Sequence, residues 1–194
     1  MPTVVLQPSS SIASGNFNNN AGSGFDVTKI NDSSNSTYVF NFTANQSFGV
    51  HMDDTSGLSG ATFNNFVVTA VFQKHGGRGA DGSFTVDIGD GSNAAFFGSV
   101  SDTTFVTTNA TPTTISSSAI AFHGSITDTK VDDMRLVVVT TDNTQVRFFQ
   151  LYVTVDYTAA PSGFGHEVNN VASASIAKVS GVATASIAKV IGVD

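Results

Sequence analysis

The sequence predicts an all-β protein built around an antiparallel β-sandwich. The 194-residue chain contains 16 Phe and is rich in Val, Thr and Ile, which favour strands. Helix-favouring residues are scarce, with four Leu, five Lys and one Glu. Short stretches that alternate apolar and polar residues are separated by clusters of Gly, Asn, Asp and Ser. We therefore expect helix to be a minor component.

The strand pattern extends along most of the chain. Thr3–Gln7 is the first predicted strand, and the Gly- and Asn-rich stretch Ser9–Gly24 is expected to be a loop. The remaining predicted strands are Thr37–Thr43, Gln46–Met52, Phe63–Gln73, Ser83–Ile88, Ala95–Val100, Thr104–Thr107, Ala119–Gly124, Arg135–Thr141 and Gln145–Tyr157. Many short strands of this kind are typical of a jelly roll, although a flat barrel or another Greek-key sandwich would give the same pattern.

For the two longest predicted strands, the pattern of apolar residues also predicts which faces are buried. Phe63–Gln73 is apolar on both faces and is expected to lie centrally in a sheet. In the last strand, alternation predicts one face formed by Arg147, Phe149, Leu151, Val153, Val155 and Tyr157. Apart from Arg147 at its entry, we expect this face to pack in the core.

Charge and composition exclude several classes of partner. The net charge is −7 and the eight basic residues are dispersed, so no basic face is available for nucleic acid. The chain has no Cys, which excludes disulfides and thiolate chemistry. No stretch approaches the ~18 apolar residues of a membrane helix. The first residues lack the pattern of a signal peptide, so we expect folding in a cytoplasm and no membrane partner.

No residues have the spacing of a catalytic, cofactor or metal site. The four histidines are His51, His75, His123 and His166, and none lies in a nucleophile-elbow motif. The Asp pairs at 53–54 and 132–133 are adjacent and are interpreted as turn residues. Oxygen ligands in 87–93 lack the closing Glu of a calcium loop, and 74–79 is interpreted as an exposed loop. We predict a non-enzymatic protein without cofactor or metal.

The composition changes after Tyr157. Residues 158–167 contain Pro and Gly and are predicted to be a linker between a sandwich domain, residues 1–157, and a tail, residues 168–194. The tail repeats every 11 residues, because Val168–Lys178 matches Val179–Lys189 at eight of eleven positions and a third copy begins at Val190.

The repeat predicts short extended segments joined by turns. Gly181 and Gly192, with β-branched residues between them, argue against helix. Two full copies and the start of a third cannot bury their apolar residues alone. We therefore predict an assembly tail that docks on other chains of a homo-oligomer. A flexible tail that happens to repeat is the alternative. The apolar residues of the predicted assembly tail are Val168, Val171, Ile176, Val179, Val182, Ile187, Val190 and Val193.

The tail also carries a family resemblance. The segment Gly163-Phe-Gly-His-Glu-Val-Asn-Asn-Val-Ala, with the Ala-Ser-Ile-Ala-Lys-Val-Ser-Gly-Val-Ala that follows, resembles the C-terminal repeats of marine and cyanobacterial phage virion proteins. Residues 32–38 and 153–157 resemble parts of the jelly-roll modules in phage structural proteins. The Asn-Gly turn usual in the repeat is Asn169-Asn170, Ser180-Gly181 and Ile191-Gly192 here.

The resemblance implies a bacteriophage virion structural protein. It would be a capsid decoration protein or a head-fibre or tail-appendage component, located on the virion and contacting proteins such as the major capsid protein. A homotrimer is expected by analogy with fibres and decoration proteins.

A carbohydrate-binding module or adhesin is the alternative function, because jelly rolls often bind glycans. A host-surface glycan would then be the partner, with Tyr38, Tyr152 and Phe164 as the aromatic platform. The chain has no Trp, which favours packing over sugar stacking as the role of its aromatic residues. A depolymerase enzyme is the least supported alternative.

Overall fold

The fold is known from a computed structural model of the chain. It describes residues 1–13, 15–41, 45–74, 84–89, 99–102, 111–122, 126–140, 146–160, 178–179 and 182–183. The chain divides into two units, Met1–Thr158 and Ala159–Asp194.

The described elements are almost all strands, as the composition predicts. In chain order the strands are β1 (Thr3–Leu6), β2 (Pro8–Ala13), β3 (Phe17–Asn19), β4 (Val39–Asn41), β5 (Ser47–Met52), β6 (Thr62–Lys74), β7 (Phe84–Gly89), β8 (Ser99–Asp102), β9 (Thr113–Ser116), β10 (Ile120–Ala121), β11 (Arg135–Thr140), β12 (Val146–Thr158), β13 (Lys178–Val179) and β14 (Val182–Ala183). Within the described ranges, helix is confined to a 3-10 turn, Val27–Lys29, and a short helix α1, Asp128–Asp132.

The strands of the first unit form two antiparallel sheets. The larger sheet has the order β10-β6-β12-β4-β3, with β9 also paired to β6 and β1 also paired to β12. The smaller sheet has the order β2-β5-β11-β7-β8. From β4 to β12 the chain places β4, β6, β9, β10 and β12 in the larger sheet and β5, β7, β8 and β11 in the smaller one. The two antiparallel sheets confirm the predicted sandwich, and the orders β10-β6-β12-β4 and β5-β11-β7-β8 are those of a jelly roll.

The core lies between the sheets and is rich in phenylalanine. Phe148 on β12 is fully buried and lies at the centre of a ring cluster. Its ring centroid lies 5.4 Å from that of Phe48 and 5.2 Å from that of Phe84, both on the smaller sheet. Phe72 and Phe17, from the larger sheet, lie 6.5 and 6.3 Å away. Aromatic rings from both sheets therefore interlock around one side chain.

The predicted placement of the longest strands is confirmed with one correction. β6 lies centrally and buries Phe66, Val68, Ala70 and Phe72, as its pattern predicts. On β12 the predicted core face is wrong at Phe149, because a bulge separates the pairs Phe148–Phe72 and Gln150–Val71. The extra residue reverses the alternation, so Phe148 joins the core and Phe149 packs elsewhere.

Two further corrections concern strands that lack an alternating pattern. The predicted loop Ser9–Gly24 contains most of β2 and all of β3. β2 is an edge strand whose residues after Pro8 are exposed, and β3 has only three residues, of which Phe17 is buried. β9 also falls outside the predicted strands. Neither exposed edges nor very short strands produce the two-residue alternation that identifies a strand in sequence.

A buried polar network joins four strand ends. Asn41 at the end of β4 is fully buried; its Nδ2 donates to Thr140 Oγ1 at 3.3 Å, and its Oδ1 accepts from the Val146 amide at 2.8 Å. Thr140 Oγ1 also accepts from the Gln46 amide at 3.2 Å and donates to the Gln46 carbonyl at 3.0 Å. The ends of β4, β5, β11 and β12 are therefore linked through the Thr140 hydroxyl and the Asn41 side-chain amide.

Truncation of Phe148 tests the aromatic centre of the core. We expect Phe148→Ala to lower the free energy of unfolding by about 3–5 kcal/mol, because the cavity would lie between both sheets. Phe40→Ala is the control, since Phe40 is only half-buried on β4. Urea denaturation of both variants measures the difference, and an equal loss would contradict the central role of Phe148.

Thr140→Val tests the polar network, because it keeps the side-chain shape and removes the hydroxyl. We expect a loss of about 1–3 kcal/mol, because the Asn41 amide and the Gln46 amide would lose their shared acceptor. The matched control is Thr154→Val on the half-buried outer side of β12, where a change within about 0.5 kcal/mol is expected. Chemical denaturation curves that coincide for the two variants would show that the network does not stabilise the fold.

Candidate ligand-binding pocket

The candidate site lies where the edge pairing of β12 is interrupted. On the side of β12 opposite β6, β4 pairs with Arg147 and Phe148, and β1 pairs with residues 153–156. On this side of β12, no strand of the described chain pairs with the four residues between them, 149–152. The Leu151 amide donates instead to the Ile30 carbonyl at 3.1 Å, so the loop after the 3-10 turn takes the place of a strand.

A pocket of about 260 Å³ opens at this interruption. It is lined by three apolar residues, Val5, Ile30 and Leu151, and by five polar ones, Gln7, Asn31, Ser33, Gln150 and Tyr152. None of the lining side chains is charged. Because Ile30 and Leu151 are nearly fully buried and Val5 is 51% exposed, the pocket has an apolar floor and an accessible apolar wall.

Hydrogen bonds fix two of the polar lining residues. Asn31 Nδ2 donates to the Pro8 carbonyl at 2.8 Å, and Gln150 Nε2 donates to Asn35 Oδ1 at 3.1 Å. Both amides keep their carbonyl oxygen as an acceptor. In the part of the chain that the structure describes, the side chains of Gln7, Ser33 and Tyr152 have no hydrogen-bond partner. These three groups can donate to and accept from a ligand.

The loop that forms one rim of the pocket is held by its own side chains. Asp32 Oδ1 accepts from the Ser34 amide at 2.9 Å, and the Thr37 hydroxyl donates to Asp32 Oδ2. Ser34 Oγ and Ser36 Oγ lie 2.7 Å apart. Ser33 has φ 56°, in the left-handed region that residues other than Gly rarely adopt. The loop conformation at the pocket is therefore fixed by local polar contacts.

An aromatic cluster, formed by Tyr38, Phe40 and Phe149, lies next to the bulge of β12. The Tyr38 ring centroid lies 5.4 Å from that of Phe149 and 5.8 Å from that of Phe40. The Arg147 guanidinium lies over the Tyr38 ring at 4.7 Å from its centroid, a cation–π contact. One face of Tyr38 is therefore occupied by a protein side chain.

The structure separates the residues predicted as an aromatic platform. Tyr152 lines the pocket, whereas Tyr38 belongs to the aromatic cluster. Phe164 lies outside the described residues. Sequence analysis missed Gln7, Asn31, Ser33 and Gln150, because the pocket forms where distant segments meet. The only local signal was the Ser- and Asn-rich turn pattern of residues 31–37.

Part of the predicted assembly tail is described. Val179 on β13 pairs with Val182 on β14, and Lys178 pairs with Ala183, in an antiparallel hairpin at the start of the second repeat. The other predicted tail residues lie outside the described residues: Val168, Val171, Ile176, Ile187, Val190 and Val193.

The candidate residues for metal or acid–base chemistry that the structure describes either make structural contacts or do not lie together in a group. Asp132 ends α1 instead of lying in a turn, and its Oδ1 accepts from the amide and hydroxyl of the buried Thr55, each at 2.5 Å. His51 lies on β5 opposite Arg135. The described residues contain no group of three or more His, Cys, Asp or Glu that could hold a metal. His75, His123, His166, residues 75–79 and residues 90–93 lie outside them.

Comparison with known proteins gives no family. No family model and no curated protein matches the chain. An arabinose-bound α-L-arabinofuranosidase is similar to 80% of this chain at 12% identity and a TM-score of 0.39. The match spans 22% of that enzyme's chain, and so weak a likeness carries no inference about function. Neither helical segment in the described ranges is long and apolar enough to span a bilayer.

Substitution of Ser33 tests the conformation of the pocket rim. We expect Ser33→Val to unfold more easily than Ser33→Gly by about 1–2 kcal/mol, because a β-branched side chain disfavours positive φ. Ser10→Val on the exposed strand β2 is the control and should not destabilise the fold. Thermal and urea denaturation of the three variants measure this order, and equal stability of the two Ser33 variants would contradict the left-handed conformation.

Proposed function

We propose that the chain is a structural protein of a bacteriophage particle, a capsid decoration protein or a head-fibre or appendage component, that oligomerises through its C-terminal repeat. The observation that carries the proposal is the 11-residue repeat of residues 168–194. Its resemblance to the repeats of phage virion proteins supplies the location on the particle.

The backbone of the repeat supports an assembly role. Residues 178–179 and 182–183 pair as a two-residue ladder on either side of Ser180-Gly181, where the sequence predicts a turn. So short a hairpin is unstable in isolation, because it cannot bury its own apolar residues. The Val and Ile residues that recur in each copy therefore need a further surface, and identical tails in a symmetric oligomer supply one.

An edge of the sandwich also favours assembly through the repeat, because this edge is poorly suited to strand addition by another chain. β2 is an edge strand, and its pairing with β5 has irregularities between Pro8 and Ser10 and between Ser11 and Ala13. Bulges of this kind disrupt the straight row of backbone groups that another chain would need for strand addition. Assembly through the repeat is therefore favoured over assembly through this edge.

The proposed partners follow from this arrangement. Copies of the chain, with a trimer as the expected state, contact one another through their tails, and the particle contributes other virion proteins such as the major capsid protein. The acidic net charge and dispersed basic residues do not favour a nucleic-acid partner.

Truncation after Ala160 tests the assembly role of the repeat. We expect light scattering to give an oligomeric mass for the full chain, with a trimer as the expected state, and a monomeric mass for the truncated one. The truncated chain would be monomeric because it lacks the apolar residues that the tails bury together. Val179→Ser combined with Val182→Ser should weaken assembly without shortening the chain.

The strand signal in circular dichroism should persist in these variants, because the sandwich is a separate unit. A full chain that is monomeric, or a truncated chain that keeps the full oligomeric state, would overturn the proposal.

A further inference from the structure

We propose that the pocket beside β12 binds a single ring of a neutral sugar, and that Tyr152 provides the aromatic surface against which the ring packs. The pocket is formed by the C-terminal end of β1 with Gln7, the loop from Ile30 to Ser33, and β12. None of these segments belongs to the repeat, so the inference goes beyond the assembly role and does not depend on it.

The size of the pocket limits the ligand. Sites for drug-sized ligands typically have volumes of about 300–1,000 Å³. At about 260 Å³ the pocket is smaller than these sites and is open on one side. A single ring can enter while the rest of a longer glycan remains in solvent.

The lining chemistry favours a neutral polyhydroxylated ligand. The hydroxyls of Ser33 and Tyr152 and the amide of Gln7 are unengaged in the described chain, and Asn31 and Gln150 offer carbonyl oxygens. Such groups exchange hydrogen bonds with sugar hydroxyls in both directions. A charged ligand would meet no opposite charge among the lining residues.

The apolar part of the pocket matches the apolar faces of a sugar ring. A pyranose or furanose carries C–H groups on its faces and hydroxyls at its edge. Val5 and the Tyr152 ring are accessible apolar surfaces, above a floor formed by Ile30 and Leu151. Apolar walls combined with a few oriented polar groups are the usual composition of a small-molecule site.

The pocket is also held in place before a ligand binds. Three hydrogen bonds between segments far apart in sequence fix its walls. They join the Leu151 amide to the Ile30 carbonyl, the Asn31 side chain to the Pro8 carbonyl, and the side chains of Gln150 and Asn35. Ser33 keeps a disfavoured positive φ at the rim, a feature found preferentially at functional sites. A site fixed in this way avoids much of the entropic cost of ordering on binding.

Saturation-transfer NMR on the full chain tests the proposal. The probes are the methyl glycosides of glucose, galactose, mannose, arabinose and N-acetylglucosamine, with glucuronate as the charged comparison. We expect at least one neutral glycoside to show saturable binding that is insensitive to ionic strength. Tyr152→Ala should weaken this binding by about tenfold or more, because it removes the aromatic surface.

Two further variants locate the site. Val5→Trp should abolish binding, because the larger side chain fills the pocket without removing a hydrogen-bonding group. Tyr38→Ala should keep binding, since Tyr38 is an aromatic residue of the same unit outside the pocket. Unfolding midpoints of all variants show whether each one is folded, so that loss of binding is scored only on a folded protein.

Three results would overturn the proposal. The first is no saturation transfer from any neutral glycoside at tens of millimolar. The second is binding that survives Val5→Trp, or that is lost equally in Tyr38→Ala. The third is a stronger response to glucuronate than to every neutral glycoside. Light scattering of the same samples reports the assembly role separately, so failure of one proposal does not resemble failure of the other.

Discussion

The fold depends on one extra residue in β12. This strand pairs with β6 along its whole length and contributes Val146, Phe148, Leu151, Val153 and Val155 to the core. Phe148 and Leu151 are three positions apart, so in a regular strand they would face opposite sides of the sheet. The bulge at Phe149 absorbs the odd spacing and turns both toward the core. Without it, either the phenylalanine at the centre of the ring cluster or the aliphatic half of the strand would face solvent.

The same bulge organises the outer side of the sheet. It releases Phe149 from the core face, and Phe149 then packs against Tyr38, whose ring also carries the Arg147 guanidinium. Gln150 and Tyr152 follow on the side away from the core and line the pocket. A strand with a local bend is also a poor partner for continuous edge pairing, and at this stretch the Ile30 carbonyl replaces the missing strand. The irregularity that completes the core therefore coincides with the place where a ligand site can form.

The sequence predicts those parts of the fold that are recorded in local periodicity. β6 and β11 contain runs of apolar, strand-favouring residues and most of β12 alternates, and the structure has strands within one residue of the predicted limits. β2 and β3 were missed because an exposed edge strand and a three-residue strand carry no such pattern. The bulge could not be predicted, since Phe148-Phe149 offers two apolar residues and only the pairing with Phe72 and Val71 decides which enters the core. The pocket requires Val5, Ser33 and Tyr152 to meet, which no local signal in the sequence records.

The proposed sugar pocket and the proposed assembly tail would be most useful in combination. A site that holds one sugar ring contacts few ligand atoms, and the binding free energy available per atom limits its affinity to the weak range. Linking several copies raises the effective concentration of each further contact, so an oligomer can bind a surface bearing many glycans far more tightly than one copy can. Weak single sites remain reversible, whereas the array as a whole is retained. If both proposals hold, the repeat would then determine the strength of adhesion and the residues around Tyr152 would determine its specificity.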